Sequence, residues 1–238
     1  MGKRILMVAA NPAVSTTTGW PVGFWAAELI HPYDEFTRRG YAVTIASPAG
    51  GQIELDALSD PNDASGYSKD DALSARYLAD PAFQALLVDT PAVSSLDEAE
   101  YDAIVVVGGQ SPMFTFREAH GLQEKFSRFV ASGKPHAALC HGVCLLLYLR
   151  GADGQPFVQG RRITGFSNAE EDFADSAVGQ KVMPFRIEDE ARALGAEFVD
   201  SEAFSPHAVV DGLLVTGQQQ HSGRETALRL VEVLEGRG

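Results

Sequence analysis

The chain of 238 residues contains only two cysteines, and the first stands in the run HAALCHGVC at residues 136–144. Cys140 is preceded by an apolar stretch and followed by His141 and Gly142. Such a thiol has three chemical uses: a buried structural group, one ligand of a metal site, or a nucleophile. A zinc site draws Cys/His pairs from two places in a chain, and CHGVC has no second half, so no metal is expected. A free cysteine packed at a strand end is the plain alternative. The nucleophile is favoured, because an apolar strand ending on the reactive residue, then one residue, then Gly and an apolar helix, is the order of a nucleophile elbow. In that turn the helix amino end faces Cys140 and favours thiolate over thiol. The His141 N–H and the backbone of Gly108 and Gly109 are candidate donors to a developing oxyanion. Cys144, one helical turn further on, is expected in the core.

An elbow needs a strand beneath it and a sheet around that strand. RILMVAA (4–10), ended by Asn-Pro, reads as a strand buried on both faces. The spacing of Phe24, Leu29, Tyr33 and Phe36 predicts a helix stopped near Gly40. YAVTIASP (41–48) gives a second strand, and YDAIVVVGG (101–109) the strongest, its Gly-Gly end permitting close approach. A helix from about Gly121 to Ser132 leads to the strand HAALC. A helix GVCLLLYLR, a short strand RRIT, a polar loop SNAEEDFADS and a helix from Ile187 to Leu194 follow. HAVVDGLLVTG places Asp-Gly between two apolar runs, a hairpin signal, and a helix from about Gly223 to Leu234 ends the series. Alternation of this kind predicts an α/β three-layer sandwich, flavodoxin-like, around a mainly parallel sheet. Residues 50–100 hold too few large apolar side chains for a core of their own. They are expected to form a cap or insertion on a single domain spanning 1–238.

Composition excludes several roles. A formal net charge of -13 opposes binding to nucleic acid or an anionic membrane, both of which need clustered Lys and Arg. The amino-terminal apolar run is too short for a signal peptide, and nothing approaches the ~18 apolar residues of a membrane span. A reducing, cytoplasmic location is expected.

ALCHG, VVVGG, GFWAAELIHPYDEF and ITGFSNAEE, in their order along the chain, resemble the DJ/ThiJ/PfpI superfamily of the class I glutamine-amidotransferase-like fold. The nearest branch is its heat-shock chaperone and glyoxalase III group, and the resemblance runs from residue 4 to about 232. It implies Cys140 as nucleophile, His141 as its base, Glu28 as the carboxyl beside the thiol, and Glu171 as the acid orienting His141, with Glu170 open as an alternative. Glu28 has its own physical case: on a helix that begins where the first strand ends, in apolar surroundings, its pKa should rise until it can shuttle a proton. Trp25 and His31 are candidates for the pocket mouth, and His207 and His221 for the crevice.

The chain also departs from glutamine amidotransferases. Ala138 stands two residues before the nucleophile, and His207 is followed by Ala208-Val209 rather than by a paired acid, so glutaminase activity is not expected. The late TGQQQHSG differs from the Asn-Pro-x-Ser form of the best-known chaperone and glyoxalase members. The resemblance implies a cofactor-independent, cysteine-dependent enzyme acting on a small electrophile, foremost a 2-oxoaldehyde such as methylglyoxal. The alternatives are a cysteine hydrolase or hydratase for an amide, ester, nitrile or isonitrile, or a stress-responsive chaperone or redox sensor. A homodimer is implied as well.

Overall fold

The computed structural model describes residues 2–236. Six strands build the central sheet: β1 (Arg4–Val8), β2 (Ala42–Ala46), β3 (Ala103–Val106), β4 (His136–Leu139), β5 (Ala208–Asp211) and β6 (Leu214–Gly217). Their spatial order is β2-β1-β3-β4-β6-β5. All neighbours are parallel except the β5–β6 hairpin, which turns at Gly212-Leu213. This is the flavodoxin-like arrangement expected, with an antiparallel edge.

Every residue of β3 and β4 is buried, as continuous apolar strands covered on both faces require. Side chains alternate between two cores. Leu6, Val8, Ile104 and Val106 pack with Leu122, Phe126 and Phe129 of helix α2 (His120–Ala131). Ile5, Met7, Val105 and Val107 pack on the other face with Leu29, Ile30 and Phe36 of helix α1 (Ala26–Arg38). Helix α3 (Asn168–Val178) follows β4, and the terminal helix α4 (Gly223–Leu234) adds Ala227, Leu230 and Val231 to the α1 side. Because β1, β3, β4 and β6 are parallel, their carboxyl ends share one edge, and β1–β3 is the switch point where open α/β sheets leave a crevice.

Several local expectations give way. RRIT contributes only Arg162–Ile163, which pairs with Glu197–Phe198 outside the main sheet. Residues 50–100 carry two helices, Ala72–Leu78 and Pro81–Val88, since Pro81 starts a new helix that Asp80 caps through the Ala82 N–H. SNAEEDFADS is no loop: it forms most of α3, whose amino end is a capping box of Ser167 and Glu170. GVCLLLYLR is not one helix but a tight turn over Cys140–Val143 followed by Cys144–Leu147. Within 50–100, Phe83 and Leu87 are buried in the core on the α1 side. The same segment runs beside Phe24, whose N–H donates to the Glu54 carbonyl and whose carbonyl accepts from Asp56 N–H, both at 2.9 Å.

Candidate active site

Leu139, the last residue of β4, is extended, and the chain then reverses at Cys140 with φ 53°. Among the described residues only Cys140 and Phe204 (φ 61°) take a positive φ without being glycine. That conformation costs about 1–2 kcal/mol, and here it lifts the thiol off the sheet. The turn closes because residue 142 is glycine: a Cβ there would lie 2.6 Å from the Val107 carbonyl oxygen.

Cys140 Sγ lies 3.8 Å from His141 Nδ1, and His141 Nε2 lies 3.0 Å from Glu171 Oε1. Both members of the His141–Glu171 pair are buried. A carboxylate at Nε2 holds the proton on that nitrogen and leaves the Nδ1 lone pair turned toward the sulfur. Glu170 faces elsewhere. Its Oε2 accepts from the Ser167 N–H and hydroxyl, both at 2.9 Å. Its Oε1 accepts from the Phe204 N–H and Gln218 Nε2, also at 2.9 Å. Successive residues on a helix diverge by about 100°, so one acid is aimed at His141 and its neighbour at the loop bearing Phe204.

Glu28, in the first turn of α1, is wholly buried. Its Oε2 accepts from the Gly108 N–H at 2.8 Å, while Oε1 has no partner of hydrogen-bond geometry. Gly108 is required by this approach, since a Cβ would stand 2.5 Å from that oxygen. Burial above all pushes the Glu28 carboxyl up to about 8, with the charge of Asp56 adding to it. Burial likewise pushes the Cys140 thiol well up, helped by the charge of an ionised Glu28 and by the hydrogen bond to it. The expected ready-made thiolate is therefore corrected. The helix after the elbow has only four residues and little dipole to offer, and the site is dry. When Glu28 carries its proton, both contributions from Glu28 disappear, and the His141 N–H pulls the thiol the other way. Below about pH 8 Glu28 and Cys140 therefore both carry their protons, and the two titrations are coupled.

A second correction concerns Gly108. Its N–H is committed to Glu28, so it is not free for an oxyanion. The sequence reading also missed Asp56, which is buried, accepts from Gly23 N–H at 2.9 Å and Gln110 N–H at 2.6 Å, and is raised to about 6 chiefly by burial. It fastens the start of α1 to the loop Gly108-Gly109-Gln110. Nothing in LDALSD distinguishes this Asp from a solvated one; only the fold does.

Cys140, His141 and Glu171 line a cavity of about 130 Å³ walled by Trp20, Trp25, Tyr67, Phe166, Phe173, Val178, Met183 and Phe204, with Gln110 and Gln220 as further polar groups. His31 is not on it. That residue lines an adjoining polar cavity of about 440 Å³, paired with Asp71 at 2.9 Å and near His221, because the ring of Trp25 stands between the two spaces. His207 lines neither cavity. Among the described residues no helix is long and apolar enough to cross a membrane, and no group of three His, Cys, Asp or Glu is arranged to hold a metal ion.

Fold and site together define a class: parallel α/β proteins with a cysteine on a strained turn at the sheet's carboxyl edge and a buried glutamate against it. Comparison with known families makes the class specific. Residues 21–233 match the model of the DJ-1/PfpI family, and the chain belongs to it. It is 29% identical to a glutathione-independent glyoxalase of Schizosaccharomyces pombe over 98% of this chain and 96% of that one. It is 26% identical to glyoxalase 3 of Candida albicans over 99% of each chain. Among solved structures, a rapid encystment protein of Francisella tularensis superposes with a TM-score of 0.86 at 26% identity, covering 98% of this chain and 99% of that one.

Proposed function

We propose that this protein is a glutathione-independent glyoxalase: it converts a 2-oxoaldehyde and water to a 2-hydroxy acid, using Cys140 as nucleophile. One observation carries the reading: the strained Cys140 thiol faces a dry pocket between Glu28 and the His141–Glu171 pair. The likeness to relatives named as glyoxalases over their full lengths supports the choice of substrate.

His141 Nδ1 takes the thiol proton as sulfur adds to the aldehyde carbon, and the imidazolium returns that proton to the new alkoxide, giving a hemithioacetal. Neutral His141 then removes the hydrogen from the former aldehyde carbon. The electron pair moves to the neighbouring carbonyl, whose oxygen takes up a proton to give an enediol. The proton taken from the first carbon is delivered to the second carbon as the first carbon's hydroxyl gives up its own proton, replacing the one taken up, and becomes a carbonyl. The product is an S-acyl enzyme with a hydroxyl at that carbon. The first carbon has been oxidised and the second reduced, so no outside oxidant is needed. Water, deprotonated by His141, hydrolyses the thioester and frees the 2-hydroxy acid and the thiol. Glu28 keeps a carboxyl proton beside sulfur, stabilising negative charge there as sulfur attacks the aldehyde and again as it leaves the thioester. Glu171 orients the imidazole and supports its positive charge.

The test is lactate formation from methylglyoxal without glutathione. Wild-type protein should form lactate, and Cys140→Ala should lose at least about 10³-fold in rate; equal rates in the two proteins would refute the reading. The family resemblance also supports a homodimer, and the two free cysteines a reducing, cytoplasmic compartment, which sedimentation equilibrium and cell fractionation would test.

A further inference from the structure

The cavity beside Cys140 is far less polar than a three-carbon oxoaldehyde requires. Besides Cys140, His141 and Glu171 its polar lining side chains are Gln110 and Gln220, and the rest of the lining is aromatic and aliphatic. From the imidazole outward, His141 and Phe166 have centroids 4.3 Å apart, Phe166 and Phe204 6.5 Å, and Phe204 and Phe173 5.1 Å. This file runs from the base to a rim where Phe173 is 55% exposed. Across the cavity, Trp25 and Tyr67 meet edge to face at 5.9 Å. No lysine or arginine lines the space.

Phe204 is the centre of that wall and is held there against backbone preference. Its φ of 61° is one that L-residues rarely adopt. It persists because the Phe204 N–H donates to Glu170 Oε1, and Glu170 is itself buried and fixed by the Ser167 cap. Strain maintained by a buried acid, at a residue whose side chain faces the reactive pocket, points to a function for that side chain.

We propose that the Phe166–Phe204–Phe173 wall selects 2-oxoaldehydes with a bulky uncharged substituent, an aryl or cycloalkyl group, over methylglyoxal. The inference rests on the glyoxalase reading of the same site. The dicarbonyl would sit over Cys140 and the substituent along the three rings, where apolar and aromatic contact replaces water. A carboxylate on the substituent would find no cation and would be rejected.

The experiment measures kcat/KM for methylglyoxal, cyclohexylglyoxal, phenylglyoxal and 4-carboxyphenylglyoxal. Cyclohexylglyoxal matches phenylglyoxal in bulk without its conjugated carbonyl, so the pair separates size from electronic activation. Both should exceed methylglyoxal by tenfold or more, and the 4-carboxy compound should fall below phenylglyoxal by at least tenfold. Phe204→Ala and Phe173→Ala should each lower the ratio of cyclohexylglyoxal to methylglyoxal at least threefold. Phe173 is exposed enough that its replacement tests the wall without a folding penalty. Cys140-dependent turnover of methylglyoxal with equal or lower kcat/KM for both bulky substrates overturns the proposal and leaves the glyoxalase reading standing. No Cys140-dependent turnover of any of the four overturns both.

Discussion

Glu28 and Cys140 show how one buried proton links activity to stability. The Glu28 carboxyl is held at about 8 in the folded chain against an ordinary 4.5. The folded state therefore binds this proton more tightly than the unfolded state. The stability it confers is complete below about pH 4.5 and is lost as pH rises through about 8, on the order of 5 kcal/mol in all. Glu28→Gln keeps an acceptor for the Gly108 N–H and cannot ionise. Calorimetry should show its Tm above wild type at pH 8.5, with the gap closing toward pH 4.5. Its turnover should fall by 10²-fold or more. In the wild type, kcat/KM should decline above about pH 8 as Glu28 loses the proton that stabilises the sulfur. Of these residues, Cys140, His141 and Glu28 were legible in one dimension, because an elbow has a fixed residue order and a helix after the first strand must pass the crevice. The protonation of Cys140 was not legible, since it depends on how completely other segments dry the site. Asp56 was invisible for a related reason: an isolated acid in a polar stretch acquires meaning only when two backbone N–H groups fold onto it.

Helix α3 separates two adjacent acids into two tasks. Glu171→Gln would present an amide to His141 Nε2 and favour the wrong tautomer, so kcat should drop by about 10²- to 10⁴-fold with little change in stability. Glu170→Gln should do the reverse. Four donors converge on its carboxylate, and an amide cannot accept them all, which should cost about 1–3 kcal/mol in chemical denaturation. The segment 50–100 contributes at the same scale through Asp56. Asp56→Asn should cost about 1–3 kcal/mol. It should also move the alkaline fall in kcat/KM to lower pH, since the Asp56 charge helps to raise Glu28. Ser167-Asn-Ala-Glu170 is a capping-box sequence, so α3 was readable from its start signal; the run of acids behind it obscured the helix. The two-residue Arg162–Ile163 strand could not have been placed, because four β-forming residues do not say which sheet they join.

At the scale of the whole molecule, the two cores follow from apolar strands whose alternate residues face opposite layers, and the central strands were readable in the sequence. The boundary between the two cavities was not, because it is assembled from residues far apart in the chain. Trp25, Tyr67 and Gln220 line both spaces, and the Gln220 amide donates to the Tyr67 hydroxyl at 3.4 Å. The partition between an apolar chamber and a polar one is therefore a single layer of side chains. In the proposed mechanism the enediol stays bonded to Cys140 sulfur, so this layer would govern how readily water exchanges the proton that His141 has taken before it reaches the second carbon. Tyr67→Ala would breach it, and the resulting leak should appear as exchange of solvent deuterium into recovered oxoaldehyde.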